Sequence, residues 1–123
     1  NKRFFTFHNK NRPYIILKWA ESRDGFIAPD KSQREKIEPV WISNPISRQL
    51  VHKWRTEEQA ILIGTNTALD DNPSLSARDY KGKSPIKILL DRQGIVASTA
   101  AIFDSAFAKT IVNTKNIDMI SAE

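Results

Sequence analysis

The sequence predicts one α/β domain built on a mostly parallel sheet, and three observations predict it. Its longest apolar runs, Tyr14-Ile15-Ile16-Leu17 and Ala60–Ile63, are strand-sized, and Ile86–Leu90 reads as another short strand. A helical apolar pattern follows the helix-start signal Ser43-Asn44-Pro45. The resulting order is strand, helix, strand, loop, strand, which is that of a sheet with crossovers. At 123 residues, with 40% hydrophobic and 27% charged side chains, the chain has material for one core and too little for two ordinary domains.

The elements follow in order. Residues 1–20 carry Lys2, Arg3, Lys10, Arg12 and Lys18 and no acid, so the net charge of +5 sits in this stretch and the remainder nets to zero. That distribution argues against a basic globular face for nucleic acid. Phe4, Phe5 and Phe7 interleave with the charges and read as a linker that packs on a neighbouring domain, with a nucleic-acid arm as the alternative. Residues 13–20, "PYIILKWA", read as a buried strand with Pro13 at its first position. Ser22–Gly25 breaks it with a turn. Residues 29–39 are charged, bounded by prolines, and read as a solvated loop or flap.

Asn44 is placed to cap a helix and Pro45 to open it. Ile46, Leu50, Val51 and Trp54 then line one face, and the helix is expected to end near Glu57 or Glu58. Strand Ala60–Ile63 runs into "GTNTALDDNPSLSAR", residues 64–78. Lys81–Pro85 reads as a surface loop, Ile86–Leu90 as a strand, Gln93-Gly94 as a turn, and 101–103 and 110–112 as two more short strands. Ligands of such sheets sit beyond the carboxyl ends of the strands. Ser22–Gly25, Gly64–Arg78 and Asp91-Arg92 should therefore share one rim.

The residue types exclude several chemistries. There is no cysteine, hence no disulfide or thiolate metal site, which fits a reducing cytoplasm. No apolar run approaches the ~18 residues needed to cross a bilayer, and no signal peptide is visible. Asp70 and Asp71 are adjacent and cannot converge on one cation, so no metal site is expected. His8 and His52 read as solvated surface residues. The four glycines form neither a phosphate loop nor a dinucleotide fingerprint, and no nucleophile elbow is present. An anion on the rim must then be met by side chains, with Arg55 and Arg78 the natural candidates.

Three ordered blocks, "RPYIILKWAESRDGFIA", "WISNPISRQLVHKWRTEEQAILIGTNTALDDNPSLSAR" and "PIKILLDRQG", resemble the reductase domain of the bifunctional riboflavin-biosynthesis deaminase/reductase. The resemblance runs from Arg12 to about Thr114. It implies a dihydrofolate-reductase-like fold, a mixed and mostly parallel sheet flanked by helices, incomplete on its C-terminal side. The implied organisation is an interdomain arm at 1–11, from a preceding deaminase domain, and the N-terminal portion of the reductase domain at 12–123. The implied reaction is NADPH-dependent reduction of the ribosyl group of 5-amino-6-(5-phosphoribosylamino)uracil to ribityl.

Position by position, the resemblance assigns Ala20, Trp41, Thr67 and Asp71 to the cofactor. It assigns Arg55, Leu75 and Arg78 to the phosphorylated substrate, and turns Lys18 toward the substrate sugar as the catalytic side chain. Two positions depart from the family pattern: Pro39 stands where a substrate-contacting serine occurs, and Arg92 where a serine near the cofactor is common. The family's glycine-rich turn for the cofactor pyrophosphate falls beyond Glu123, so the 123 residues alone are expected not to catalyse the reduction. Unpaired sheet edges would invite self-association, which admits a homo-oligomer. A stand-alone reductase of the same fold acting on another pyrimidine or a pterin, and a non-catalytic module with a basic arm, are the competing readings.

Overall fold

A computed structural model describes residues 1–33 and 36–114. Helix α1 spans Lys2–Lys10, α2 Pro45–Glu57 and α3 Thr65–Asp71. Strands β1 (Ala60–Gly64), β2 (Ile86–Leu90) and β3 (Thr110–Asn113) form an all-parallel sheet in the order β1-β2-β3. The fold class is the α/β arrangement expected.

The sheet follows from alternation. Ile63 pairs with Leu89 and Leu89 with Val112, so these three form a row across one face. There Leu89 meets Ala68 of α3, Leu75 and Ile102 to make the buried core. The neighbouring row, Leu62, Ile88 and Ile111, lies on the opposite face, where Leu62 and Ile111 are exposed. Lys87, paired with Ile61 and Thr110, is fully buried on the core side, its ammonium donating to the Asp104 carbonyl at 2.5 Å. Burial holds its pKa below the usual lysine value, against the opposing pull of Asp104.

Helix α2 begins as its sequence dictates. The Asn44 side chain accepts from the Ser47 amide at 2.8 Å and Pro45 opens the first turn. It ends at Glu57, with the Glu58 amide donating to the Trp54 carbonyl. Its apolar stripe is not the buried face expected. Ile46 is 79% exposed, and Leu50 and Trp54 are exposed too, whereas His52 is only 4% exposed. The surface reading of His52 is therefore corrected: this face of α2 meets a segment that supplies polar partners, and a histidine bonded to them tolerates burial. His8 is exposed, as read.

Two expected strands are absent. Residues 13–20 have no regular secondary structure, 13–19 are exposed and Ala20 is half-buried, and no ladder among the described residues pairs them. β-propensity becomes a strand only through cross-strand partners, and this segment has none there. Residues Ala101–Phe103 form a 3-10 turn, closed by the Phe103 amide on the Ala100 carbonyl, that drops Ile102 into the core. The basic arm is a helix. Asn1 caps its start, Asn11 ends it in the left-handed region, and Arg3 pairs with Glu58 after α2.

Candidate functional site

The carboxyl ends of the strands are Gly64, Leu90 and Asn113, and a polar seam binds them together. The Asp91 amide donates to the Asn113 carbonyl at 3.0 Å. The Thr65 hydroxyl lies 2.9 Å from the Leu90 carbonyl and 3.1 Å from Asp91 Oδ1. Asp91 is 2% exposed, and its other carboxylate oxygen accepts from the Val96 amide at 2.9 Å. Burial pushes the Asp91 pKa up, but hydrogen bonds from Val96, Ile95, Thr65 and Gly94 outweigh it and hold the carboxyl below its usual value. The seam thus seats the first residue of α3 at the rim.

Residues 64–78 divide into a helix and a strained strap. Gly64 caps α3 without a side-chain bond, and Asn72 ends it in the left-handed region. The Asn72 side chain accepts from the Ala101 amide at 2.8 Å, so it is the turn device here, followed by Pro73. Leu75 has φ +57 while its side chain sits in the core at 5% exposure. A bulky residue in that region is strained and must be held by its surroundings.

Helix α2 does the holding. Arg55 Nη1 donates to the Ser76 carbonyl at 2.9 Å. His52 Nε2 lies 3.0 Å from Asp79 Oδ2. Gly82 passes so close to Thr56 that a Cβ there would stand 2.7 Å from the Thr56 side chain. Within the strap itself, the Ala77 amide donates to Ser84 Oγ at 3.1 Å. Burial lowers the Arg55 pKa, helped by the charge of Arg78 and opposed by Asp79. Burial and Arg55 likewise hold His52 below the ordinary histidine value.

Beside this strap an open hollow of about 390 Å³ is lined by Trp41, Arg48, Gln49, His52, Arg78 and Asp79, with Pro45 and Ile46. The Arg48 guanidinium stands 4.4 Å from the centre of the Trp41 ring. An exposed indole and two guanidinium groups in one hollow suit a planar or phosphorylated ligand.

Of the residues singled out in the sequence, Trp41 and Arg78 line the hollow, and Arg55 and Leu75 hold the strap that carries Arg78. Thr67 is exposed on α3 and Asp71 half-buried at its last residue, away from the hollow's lining. Lys18 is exposed and Ala20 half-buried, and neither lines the hollow. Pro39 is half-buried and Arg92 exposed. The hydrogen bonds of Ser22–Gly25 among the described residues stay within 22–26, so none reaches the rim.

Arg48, His52 and Asp79 were missed. Their signal was present: Arg48, His52 and Arg55 recur at i, i+4 and i+7, a basic stripe along α2 beside the apolar one. Among the described residues no cluster of His, Asp and Glu could hold a metal ion, and no helix is long and apolar enough to cross a membrane.

A parallel sheet with a polar seam at its carboxyl ends, and a basic aromatic hollow between α2 and the strap, define an α/β domain with a candidate ligand site. The chain belongs to the RibD C-terminal domain family, whose model matches residues 13–120. It is 38% identical over 116 residues to a riboflavin biosynthesis protein RibD of Aquifex aeolicus, covering 94% of this chain and 31% of that protein. It is 32% identical to the chloroplastic riboflavin biosynthesis protein PYRR of Arabidopsis thaliana, over 84% of this chain and 16% of that one. Among solved structures it resembles a diaminohydroxyphosphoribosylaminopyrimidine deaminase/5-amino-6-(5-phosphoribosylamino)uracil reductase from Thermotoga maritima. That likeness has a TM-score of 0.80 at 35% identity, over 95% of this chain and 32% of the other. The chain spans under a third of the length of these relatives.

Proposed function

We propose that the chain is the N-terminal portion of a reductase domain that uses NADPH to reduce the ribosyl group of 5-amino-6-(5-phosphoribosylamino)uracil to ribityl. The observation that carries this reading is the meeting of Trp41 and Arg78 in one hollow. They are distant in sequence and belong to the two ligand classes such a reductase must bring together. Family membership and the likeness to the Thermotoga maritima deaminase/reductase support the same reaction.

In this reading the residues divide the work. Arg78 is exposed, and its guanidinium meets the substrate's phosphate. Arg55 has committed one nitrogen to the Ser76 carbonyl, so it acts chiefly by fixing the strap and adding positive field. Leu75 sets the strap's strained course. Trp41, with Thr67 and Asp71 on α3 and Ala20, serves the cofactor. The exposed Trp41 indole with the Arg48 guanidinium beside it fits an aromatic, phosphorylated cofactor. NADPH, when bound, supplies the hydride. The acceptor is C1 of the ring-opened imine form: as the C–H bond forms, the C=N electron pair moves to nitrogen, which takes a proton. Lys18 stabilises that developing charge, and alignment does most of the rest. The arm at 1–11, containing α1, connects to a preceding deaminase domain. A cytoplasmic setting and self-association through free strand edges complete the reading.

The test is NADPH oxidation by the full-length protein with the phosphoribosylaminopyrimidine, alongside its Arg78→Ala variant. Substrate-dependent oxidation giving the ribityl product is expected. Losing one charge-assisted contact should raise KM roughly tenfold or more. Oxidation that ignores the substrate, or an unchanged KM in Arg78→Ala, would overturn the reading.

A further inference from the structure

His52 and Asp79 have no assigned role, yet they make the most unusual contact of the hollow. A buried histidine at the middle of an amphipathic helix needs a reason, since an apolar residue would fill the position without a polar group to satisfy. Here Nε2 lies 3.0 Å from Asp79 Oδ2, while Nδ1 is buried with no hydrogen-bond partner among the described residues. Asp79 is the side chain that Nε2 faces. That carboxylate is shared: Asp79 Oδ1 lies 3.8 Å from Arg78 Nε. On its other side Arg78 Nη1 is 3.3 Å from Ser74 Oγ. The guanidinium thus has one hydrogen bond inside the strap, to Ser74, and the Asp79 carboxylate as a charged neighbour on its other edge.

The strap's backbone is already fastened by Leu75 in the core, by Arg55 on the Ser76 carbonyl, and by the Ala77 amide on Ser84. Beyond it, the Arg78 and Asp79 side chains are both about half exposed and would sweep solvent without a further anchor. His52 supplies that anchor from α2.

We propose that His52 and Asp79 are positioning residues that orient Arg78 toward the phosphate monoester of the bound sugar. The inference rests on the reading of Arg78 as the phosphate contact, and deepens it. The groups facing His52 are Arg55 on its own helix, and Arg78, Asp79 and the Ser76 carbonyl on the strap. Burial pushes the ring toward its neutral form, and Nε2 is the ring nitrogen that faces Asp79.

Positioning and bulk charge predict opposite signs. Asp79 is an acid beside an anion site, so on charge alone its removal should tighten phosphate binding. If it orients Arg78, its removal should weaken binding, because the guanidinium then loses its prepared geometry.

The experiment is calorimetric titration of the full-length protein with ribose 5-phosphate at neutral pH, with ribose as the control lacking phosphate. Asp79→Asn and His52→Leu should each weaken binding about threefold to fivefold, the range of a partly exposed charge contact. His52→Gln, whose amide can donate in place of Nε2, should restore affinity to within about twofold on the same scale. The double variant should bind no worse than Asp79→Asn, since the two act through one contact. Asp79→Asn alters a half-exposed side chain and so keeps the test open if His52→Leu unfolds. Should Arg78→Ala leave affinity unchanged, the reading of Arg78 falls and the inference with it. Should Arg78→Ala weaken binding while Asp79→Asn binds as well as or better than the parent chain, the reading stands and the inference is overturned.

Discussion

Replacing Asp91 with alanine should cost the domain about 2–4 kcal/mol. The side chain is 2% exposed at the end of the central strand, where it receives Val96 at 2.9 Å, Thr65 at 3.1 Å and the amides of Ile95 and Gly94. Truncation does not orphan all of these equally. Thr65 keeps the Leu90 carbonyl at 2.9 Å and the Gly94 amide keeps the Asp91 backbone carbonyl at 3.1 Å. Ile95 is exposed and its amide can turn to water, leaving half-buried Val96 as the main orphan. Each donor left unpaired in the interior costs about 1–3 kcal/mol, and losing the charged acceptor adds to it, which gives the range stated.

Urea denaturation followed by tryptophan fluorescence reads the change. With a slope near 1–1.5 kcal/mol/M, the midpoint should fall by about 1.3–4 M at constant slope. The sign with pH follows from the depressed carboxyl. Its contribution is full above the unfolded-state value of about 3.9 and is lost as pH falls through the lower folded-state value. An Asp91→Ala midpoint within about 0.5 kcal/mol of the parent would show that the polar seam does not hold the rim.

Two further outcomes are expected. Asn44→Ala should destabilise α2 by about 1 kcal/mol in the same denaturation assay, because the Ser47 amide loses its 2.8 Å acceptor; no change would mean that water serves the cap equally well. Buried neutral His52 should make stability fall in acid. Its contribution is full above about pH 6.5 and is lost as pH falls through the depressed folded-state value, and His52→Gln should flatten that part of the pH–stability curve.

What the sequence disclosed divides along physical lines. β1, β2 and β3 were legible because apolar runs bounded by turn residues have few other fates in a small sheet. The start of α2 was legible because Asn44 and Pro45 act locally, through their own backbone neighbours. Residues 13–20 carry the same strand propensity, yet a strand is a property of two segments, and no partner among the described residues pairs them. Helix α3 was hidden by its threonines and aspartates, which suit turns as well as a short helix. In α2 the apolar stripe outweighed the basic one in pattern, while the fold buried His52 because Ser76 and Asp79 waited on the strap. Side chains that answer partners far along the chain leave little trace in local periodicity. The hollow itself, which joins residues 41–52 to 78–79, is of this kind.

The indole N–H of Trp41 reports whether this hollow takes a phosphorylated ligand. Nitrogen-15 NMR of the 123-residue chain resolves three indole signals, from Trp19, Trp41 and Trp54. Trp19 donates to Glu21 at 3.0 Å outside the hollow's lining, and Trp54 is also absent from that lining. On titration with ribose 5-phosphate a saturable shift of the Trp41 signal alone is expected, lost in Arg78→Ala. An unmoved Trp41 at saturating ligand, or the same shift in the variant, would contradict it.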